Sequence, residues 1–181
     1  MSAARPQRSL PPLRVGLAAS ALHRVPPAGA LFGLLAALET TIRDELQVEL
    51  LALGQTCDAL AAARLLVDYP SLRRLPTRRE GGLIHLVAAV VSDDPRRRLD
   101  AMIYLLDPDD PTAVFPEGQA LKRECVIHET VFISTLAHAR EWFKLARIER
   151  GCAANPLLDR GFAFESQTIA LGPVHAKCIP T

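Results

Sequence analysis

Asp107 is the residue on which chemistry would centre. It follows the apolar run Ala101-Met102-Ile103-Tyr104-Leu105-Leu106 and precedes Pro108. A short apolar run closed by turn residues reads as a strand buried on both faces. The residue before a proline is steered away from helix. Asp107 is therefore expected at the carboxyl end of a central parallel strand spanning Asp100 to Leu106. That rim is where open α/β sheets bind ligands, and a carboxylate there is a candidate acid or base. Three further stretches could reach it. Gly54-Gln55-Thr56 reads as a tight turn between a strand and a helix, an order that aims backbone N–H groups at an anion. Thr77-Arg78-Arg79-Glu80-Gly81-Gly82 is a polar, glycine-rich loop, and His23 and Arg24 sit in the loop after the first strand.

Other groups support less. Cys57, Cys125, Cys152 and Cys178 show neither CxxC nor paired-histidine spacing, so no metal or cofactor is implied and the thiols read as reduced, in a cytoplasmic protein. Arg96-Arg97-Arg98 lies among Asp93, Asp94 and Asp100 without aromatic residues. It reads as a solvated turn and not as a nucleic-acid footprint. Asp109 and Asp110 read the same way. His85, two positions after Leu83, falls on a different helix face from it and reads as structural, while His128 and His138 read as surface positions. Net charge is +1 over 181 residues, which excludes a general affinity for polyanions. No apolar stretch approaches the roughly 20 residues of a membrane helix. Met1 to Pro12 carries arginines but no apolar core after them, so it reads as a disordered lead-in and not a secretory signal.

The elements that must position these residues alternate. Strands are expected at Leu13–Ala19, Val48–Leu53, Asp100–Leu106 and Val131–Thr135, with a strand or connector at Leu72–Pro76. Helices are expected at Ala28–Leu46, Cys57–Val67, Leu83–Val91, Glu117–His128 and Leu136–Arg147. In the first helix Leu31, Leu34, Leu35, Leu38, Ile42 and Leu46 share one face. Such alternation predicts a doubly wound, mostly parallel sheet in an α/β/α sandwich. The predicted domain spans residues 13–150. Residues 151–181 form an extension in which Ser166–Leu171 reads as a closing strand.

Three motifs in order, Ala52-Leu53-Gly54-Gln55-Thr56, Gly81-Gly82, and Asp100 through Pro108, resemble the methylglyoxal synthase-like superfamily. The helix starting PEGQALKREC and the strand VFIST fall where that family has them, so the resemblance covers about residues 13 to 147. It implies a roughly five-stranded, mostly parallel α/β/α sandwich, often oligomeric, holding a phosphorylated ligand at the strand ends. Arg24 falls where the family has a lysine. Thr56 matches a phosphate-binding threonine, Gln55 and Leu53 replace two others, and Thr77 falls near a phosphate-binding serine. Arg78 and Arg79 add charge. The resemblance thus implies Arg24, Gln55, Thr56, Thr77, Arg78, Gly81 and Gly82 as phosphate-binding positions, with chemistry suited to guanidinium and hydroxyl groups.

The catalytic side departs from the family. Leu83 stands where the family has the aspartate that takes the proton next to the carbonyl, and leucine accepts no proton. Ser20-Ala21 replaces a His-Asp pair, Val114 falls at a histidine, and Glu117 replaces an aspartate; only Asp107 is kept. The leading expectation is a domain that binds a phosphorylated metabolite without the family elimination, in a regulatory or scaffold role with itself or an active paralogue. The alternative is an active carbon–oxygen lyase using a rearranged acid–base set around Asp107. A third reading is an assembly domain with an empty site. Gln167–Lys177 also resembles the family's opening strand and echoes Leu13–Arg24, so residues 151–181 read either as an ordinary closing segment or as the start of a degenerate second copy.

Overall fold

A computed structural model describes residues 11–26, 29–107, 109 and 116–152. Val114 and the closing-strand and second-copy segments lie outside them. Five strands form one all-parallel sheet: β1 (Arg14–Ala19), β2 (Glu49–Leu53), β3 (Leu72–Leu75), β4 (Ala101–Leu105) and β5 (Val131–Ile133). The helices between and after them are α1 (Ala30–Thr40), α2 (Gly54–Ala62), α3 (Gly82–Val90), α4 (Pro116–Ile127) and α5 (Leu136–Glu149). Strand order across the sheet is β3-β2-β1-β4-β5. The chain winds outward from β1 to one edge, then crosses back to β4 and continues to the other.

The strands carry apolar residues on both faces because both faces are covered. Val15, Leu17, Leu50, Ala52, Ala101, Ile103 and Leu105 join a core with α1, α2 and α5. Their alternates Ala18, Leu51, Leu53, Met102 and Tyr104 pack with Leu83, Leu86 and Val90 of α3 and Leu121 and Cys125 of α4. That alternation is the period of two of a strand, read out as two cores. The result is a three-layer α/β/α sandwich.

Two elements differ from expectation. The first helix does not run evenly to Leu46: after Thr40 it widens into a π-helical turn, Thr41–Glu45, in which Leu46 N–H donates to Thr41 C=O at 2.9 Å. The wider turn leaves both Ile42 and Leu46 buried. The buried Tyr69 hydroxyl closes this corner by donating to Val48 C=O at 2.6 Å. Second, Gly54-Gln55-Thr56 is not a turn. Helix α2 begins directly at Gly54 and ends at Ala62, well short of Val67. Gly54 is closely approached there: a Cβ on it would stand 3.0 Å from Thr77 Cγ2 and 3.2 Å from an Arg74 guanidinium nitrogen, so those side chains would have to give by a few tenths of an ångström.

Gly16 shows how tightly the sheet is covered. A Cβ at this position would lie 2.5 Å from Met102 Sδ, 2.9 Å from Leu99 Cδ1 and 3.1 Å from Leu86 Cδ2. Gly16→Ala is expected to destabilise the fold by about 1–3 kcal/mol through overpacking. Chemical denaturation measures this, and an unchanged midpoint would show that Met102 and Leu99 yield freely.

Candidate functional site

Reversal of the winding between β1 and β4 opens a crevice at the carboxyl ends of the strands, the place where such sheets take ligands. A cavity of about 550 Å³ lies there, lined by Ala19, Ser20, Ala21, Arg24, Leu53, Gln55, Arg78, Arg79, Tyr104 and Glu117. Among the described residues its lining holds three arginines and one glutamate. The residues arrive from four directions: the segment after β1, the β2–α2 junction, the loop after β3, and β4 with the start of α4.

Each direction has its own local anchor. After β1, Ser20 N–H donates to Leu105 C=O at 2.9 Å, which carries the β1–β4 pairing one residue further. A single 3₁₀ turn, Leu22–Arg24, then folds back. Arg24 Nε donates to Ala19 C=O at 3.0 Å, and His23 Nε2 lies 3.0 Å from Leu106 C=O. His23 is thus tied to the strand end just before Asp107.

At the β2–α2 junction the first turn of α2 supplies N–H groups that no helical carbonyl satisfies. Gly54 N–H reaches Pro76 C=O at 3.4 Å. Arg74 braces the same end, donating to Gly54 C=O at 3.0 Å and to both carboxylate oxygens of Asp58 at 2.5 and 3.1 Å. Hydrogen bonding from Arg74 holds the Asp58 carboxyl below its ordinary value, with the charge of Arg24 acting in the same sense. Thr56 is 1 % exposed, and its hydroxyl has no hydrogen-bond partner among the described residues. Cys57 follows it, and burial pushes its thiol up, with the charge of Arg74 acting in the opposite sense.

The loop after β3 is held on every side. Thr77 and Glu80 form a capping box: the Thr77 N–H and hydroxyl both donate to Glu80 Oε2, at 2.9 and 2.8 Å. Gly81 has φ of 85°, the left-handed region that favours glycine. Gly82 is a close approach: a Cβ there would stand 2.1 Å from Pro76 C=O and 2.8 Å from Leu53 Cδ2. Gln55 Oε1 accepts from Arg78 N–H at 3.2 Å, joining this loop to the first turn of α2. Arg78 and Arg79 are therefore presented by a preformed loop.

Of the residues singled out from the sequence, Arg24, Gln55 and Arg78 come together on the cavity wall. Thr56 lies beside them in α2, its side chain inside the protein. Thr77, Gly81 and Gly82 belong to the same loop and shape it through backbone geometry and the capping box. Asp107 follows β4 as expected but is not among the residues lining the cavity; its Oδ1 accepts from Asp109 N–H at 3.0 Å, closing a local turn. Leu83 is 1 % exposed in the core under α3. The family resemblance placed Ser20 and Ala21 at the site as replacements of a His-Asp pair, and both line the cavity; sequence reasoning missed Tyr104. Tyr104 was visible as the one residue bearing a hydroxyl in an otherwise apolar strand. Among the described residues no group of three His, Cys, Asp or Glu side chains could hold a metal ion, and no helix is long and apolar enough to cross a membrane. Neither a protein-family model nor a characterised protein matches the sequence.

The capping box carries a pH dependence. The two hydrogen bonds from Thr77 hold the Glu80 carboxyl below its ordinary 4.5. A depressed carboxyl contributes ordering above its ordinary value and loses it as pH falls through the lower folded value. Hydrogen exchange at Thr77 N–H, corrected for intrinsic rates, is expected to lose protection below pH 4.5 in the native protein. In Glu80→Ala protection should be low at every pH; full protection in that variant would contradict the assignment.

Proposed function

We propose that this chain is a methylglyoxal synthase-like domain that binds a phosphorylated metabolite at the crevice cavity and does not perform the family's phosphate elimination. One observation carries the reading. Arg24 from the segment after β1 and Arg78 and Arg79 from the loop after β3 line a single cavity next to the first turn of α2. Guanidinium groups match phosphate oxygens in geometry as well as charge, and a helix start adds N–H donors and a favourable dipole. The five-stranded parallel sandwich agrees with the architecture that the resemblance implies.

Loss of the elimination rests on chemistry. Removing a proton next to a carbonyl requires a titratable group within hydrogen-bonding reach. At the family's base position stands Leu83, closed in the core. Asp107 is engaged in its own turn outside the cavity lining. A domain of this kind serves as a sensor or scaffold whose ligand reports metabolite level, alone or with an active relative. The competing reading, a lyase with a rearranged acid–base set, has one observation in its favour: Glu117 places a carboxylate on the same cavity.

Thermal unfolding against inorganic phosphate and dihydroxyacetone phosphate, with methylglyoxal assayed in the same tubes, separates these readings. A ligand at about a hundred times its Kd stabilises by about 2.7 kcal/mol, which raises Tm by several degrees. The expected result is such a rise, at least halved in Arg24→Ala and in Arg78→Ala when each is compared with its own ligand-free protein, with no methylglyoxal. Methylglyoxal formed by the native chain and lost in Asp107→Asn or Glu117→Gln would establish the lyase instead.

A further inference from the structure

We infer that the ligand of this cavity is the phosphate monoester of a polyhydroxylated carbon skeleton longer than three carbons, a pentose or hexose phosphate in chemical class. The inference rests on the phosphate reading above and adds the organic half of the ligand. It starts from the strand order. Arg78 and Arg79 follow β3, Gln55 follows β2, Ser20 and Arg24 follow β1, and Tyr104 and Glu117 belong to β4 and the helix after it. The cavity therefore runs across the rim from β3 to β4. Three strand spacings amount to roughly 14 Å.

The charge along that line is not uniform. The β3 and β2 end has two arginines and the first turn of α2, and Arg24 stands next to them at the β1 position. The β4 end has Glu117, which is exposed at the start of α4. A second phosphate at the β4 end would meet a carboxylate and be repelled. Hydroxyl groups suit that end, because a carboxylate accepts hydrogen bonds from them and only accepts. Between the two ends stands Ser20, a cavity residue whose hydroxyl is closed to solvent and has no hydrogen-bond partner among the described residues. A buried hydroxyl without a partner is uncommon. No bond from a described residue holds it in its present rotamer, so one step about χ1 between staggered wells turns it toward a ligand hydroxyl, to which it can both donate and accept.

Size points the same way. At about 550 Å³ the cavity falls within the roughly 300–1,000 Å³ of pockets that enclose medium-sized organic ligands. A three-carbon phosphate anchored at the arginines would leave the Glu117 end to water. A pentose or hexose chain fills it and brings its hydroxyls to Ser20 and Glu117.

Titration calorimetry at one pH and one salt concentration tests this with five probes: inorganic phosphate, glycerol 3-phosphate, ribose 5-phosphate, glucose 6-phosphate and ribose. The expected result is binding of ribose 5-phosphate or glucose 6-phosphate at least tenfold tighter than either inorganic phosphate or glycerol 3-phosphate, with ribose alone too weak to detect. Glu117→Ala should cut that preference to less than threefold, while inorganic phosphate binds as tightly as before or more tightly, since a repelling charge has gone. Ser20→Ala should reduce the preference without lowering the stability of the ligand-free protein. Glycerol 3-phosphate binding as tightly as the sugar phosphates, or a preference unchanged in Glu117→Ala, would overturn this inference and leave the phosphate reading in place. No binding of any phosphate by the native chain would overturn both.

Discussion

The crevice exists because the chain reverses its winding between β1 and β4. Those two strands are paired, from Val15 with Ala101 to Ala19 with Leu105, but their following segments leave the rim in different directions. Beyond β1 the chain turns toward α1 and the β2 side; beyond β4 it heads for α4 and the β5 side. Backbone pairing holds the two strand ends together while nothing in the sheet fills the space above them. The hydrogen bond from Ser20 N–H to Leu105 C=O extends this pairing to the lip of the cavity. If that pairing slipped by a residue, every side chain on β4 would change faces, and Tyr104 would leave the cavity.

The second constraint is the closeness of α2 to the loop after β3. At Gly54 a Cβ would crowd the Thr77 methyl at 3.0 Å, and at Gly82, which follows the loop, a Cβ would meet the Pro76 C=O at 2.1 Å and Leu53 Cδ2 at 2.8 Å. That contact, with Gln55 bridging to Arg78, makes the basic loop a fixed wall. Binding an anion on a wall already built avoids the cost of ordering it. Gly81 and Gly82, the pair that resembles a phosphate-binding signature, thus have an immediate structural reason in this loop: the left-handed φ of Gly81 and the close approach of Gly82 to Pro76.

Much of the fold was legible in the sequence because two buried sheet faces demand continuous apolar runs. Ala101–Leu105 and Glu49–Leu53 fall inside the predicted strands, and the α1 face from Leu31 to Ile42 follows its spacing. Less legible was the start of α2. Gly-Gln-Thr is turn chemistry by composition, and only the tertiary closeness of Thr77 shows that Gly54 opens a helix. The π-helical turn at Thr41–Glu45 carries no local signal either. In the site, the arginines were legible because the family resemblance set Arg24 and Arg78 at the strand ends, whereas Arg96, Arg97 and Arg98 read as an ordinary solvated turn. Ser20 was legible only through the family resemblance, and Tyr104 was not, because a neutral group becomes a cavity residue only through the strand order, which sequence periodicity does not encode. Asp107 illustrates the converse: its position after β4 followed from the Asp-Pro pair, but its side chain turns into a local hydrogen bond.

The proposed function requires that α2 and the basic loop jointly form an anion cradle. Its most direct measurement is an amide NMR titration of the native chain with inorganic phosphate. The expected result is saturable shifts concentrated at Gln55, Thr56, Cys57, Arg78 and Arg79, with the amino rim of the sheet unmoved. Shifts centred on Arg96, Arg97 and Arg98, or spread without saturation over the exposed arginines, would contradict it and leave the crevice without a ligand.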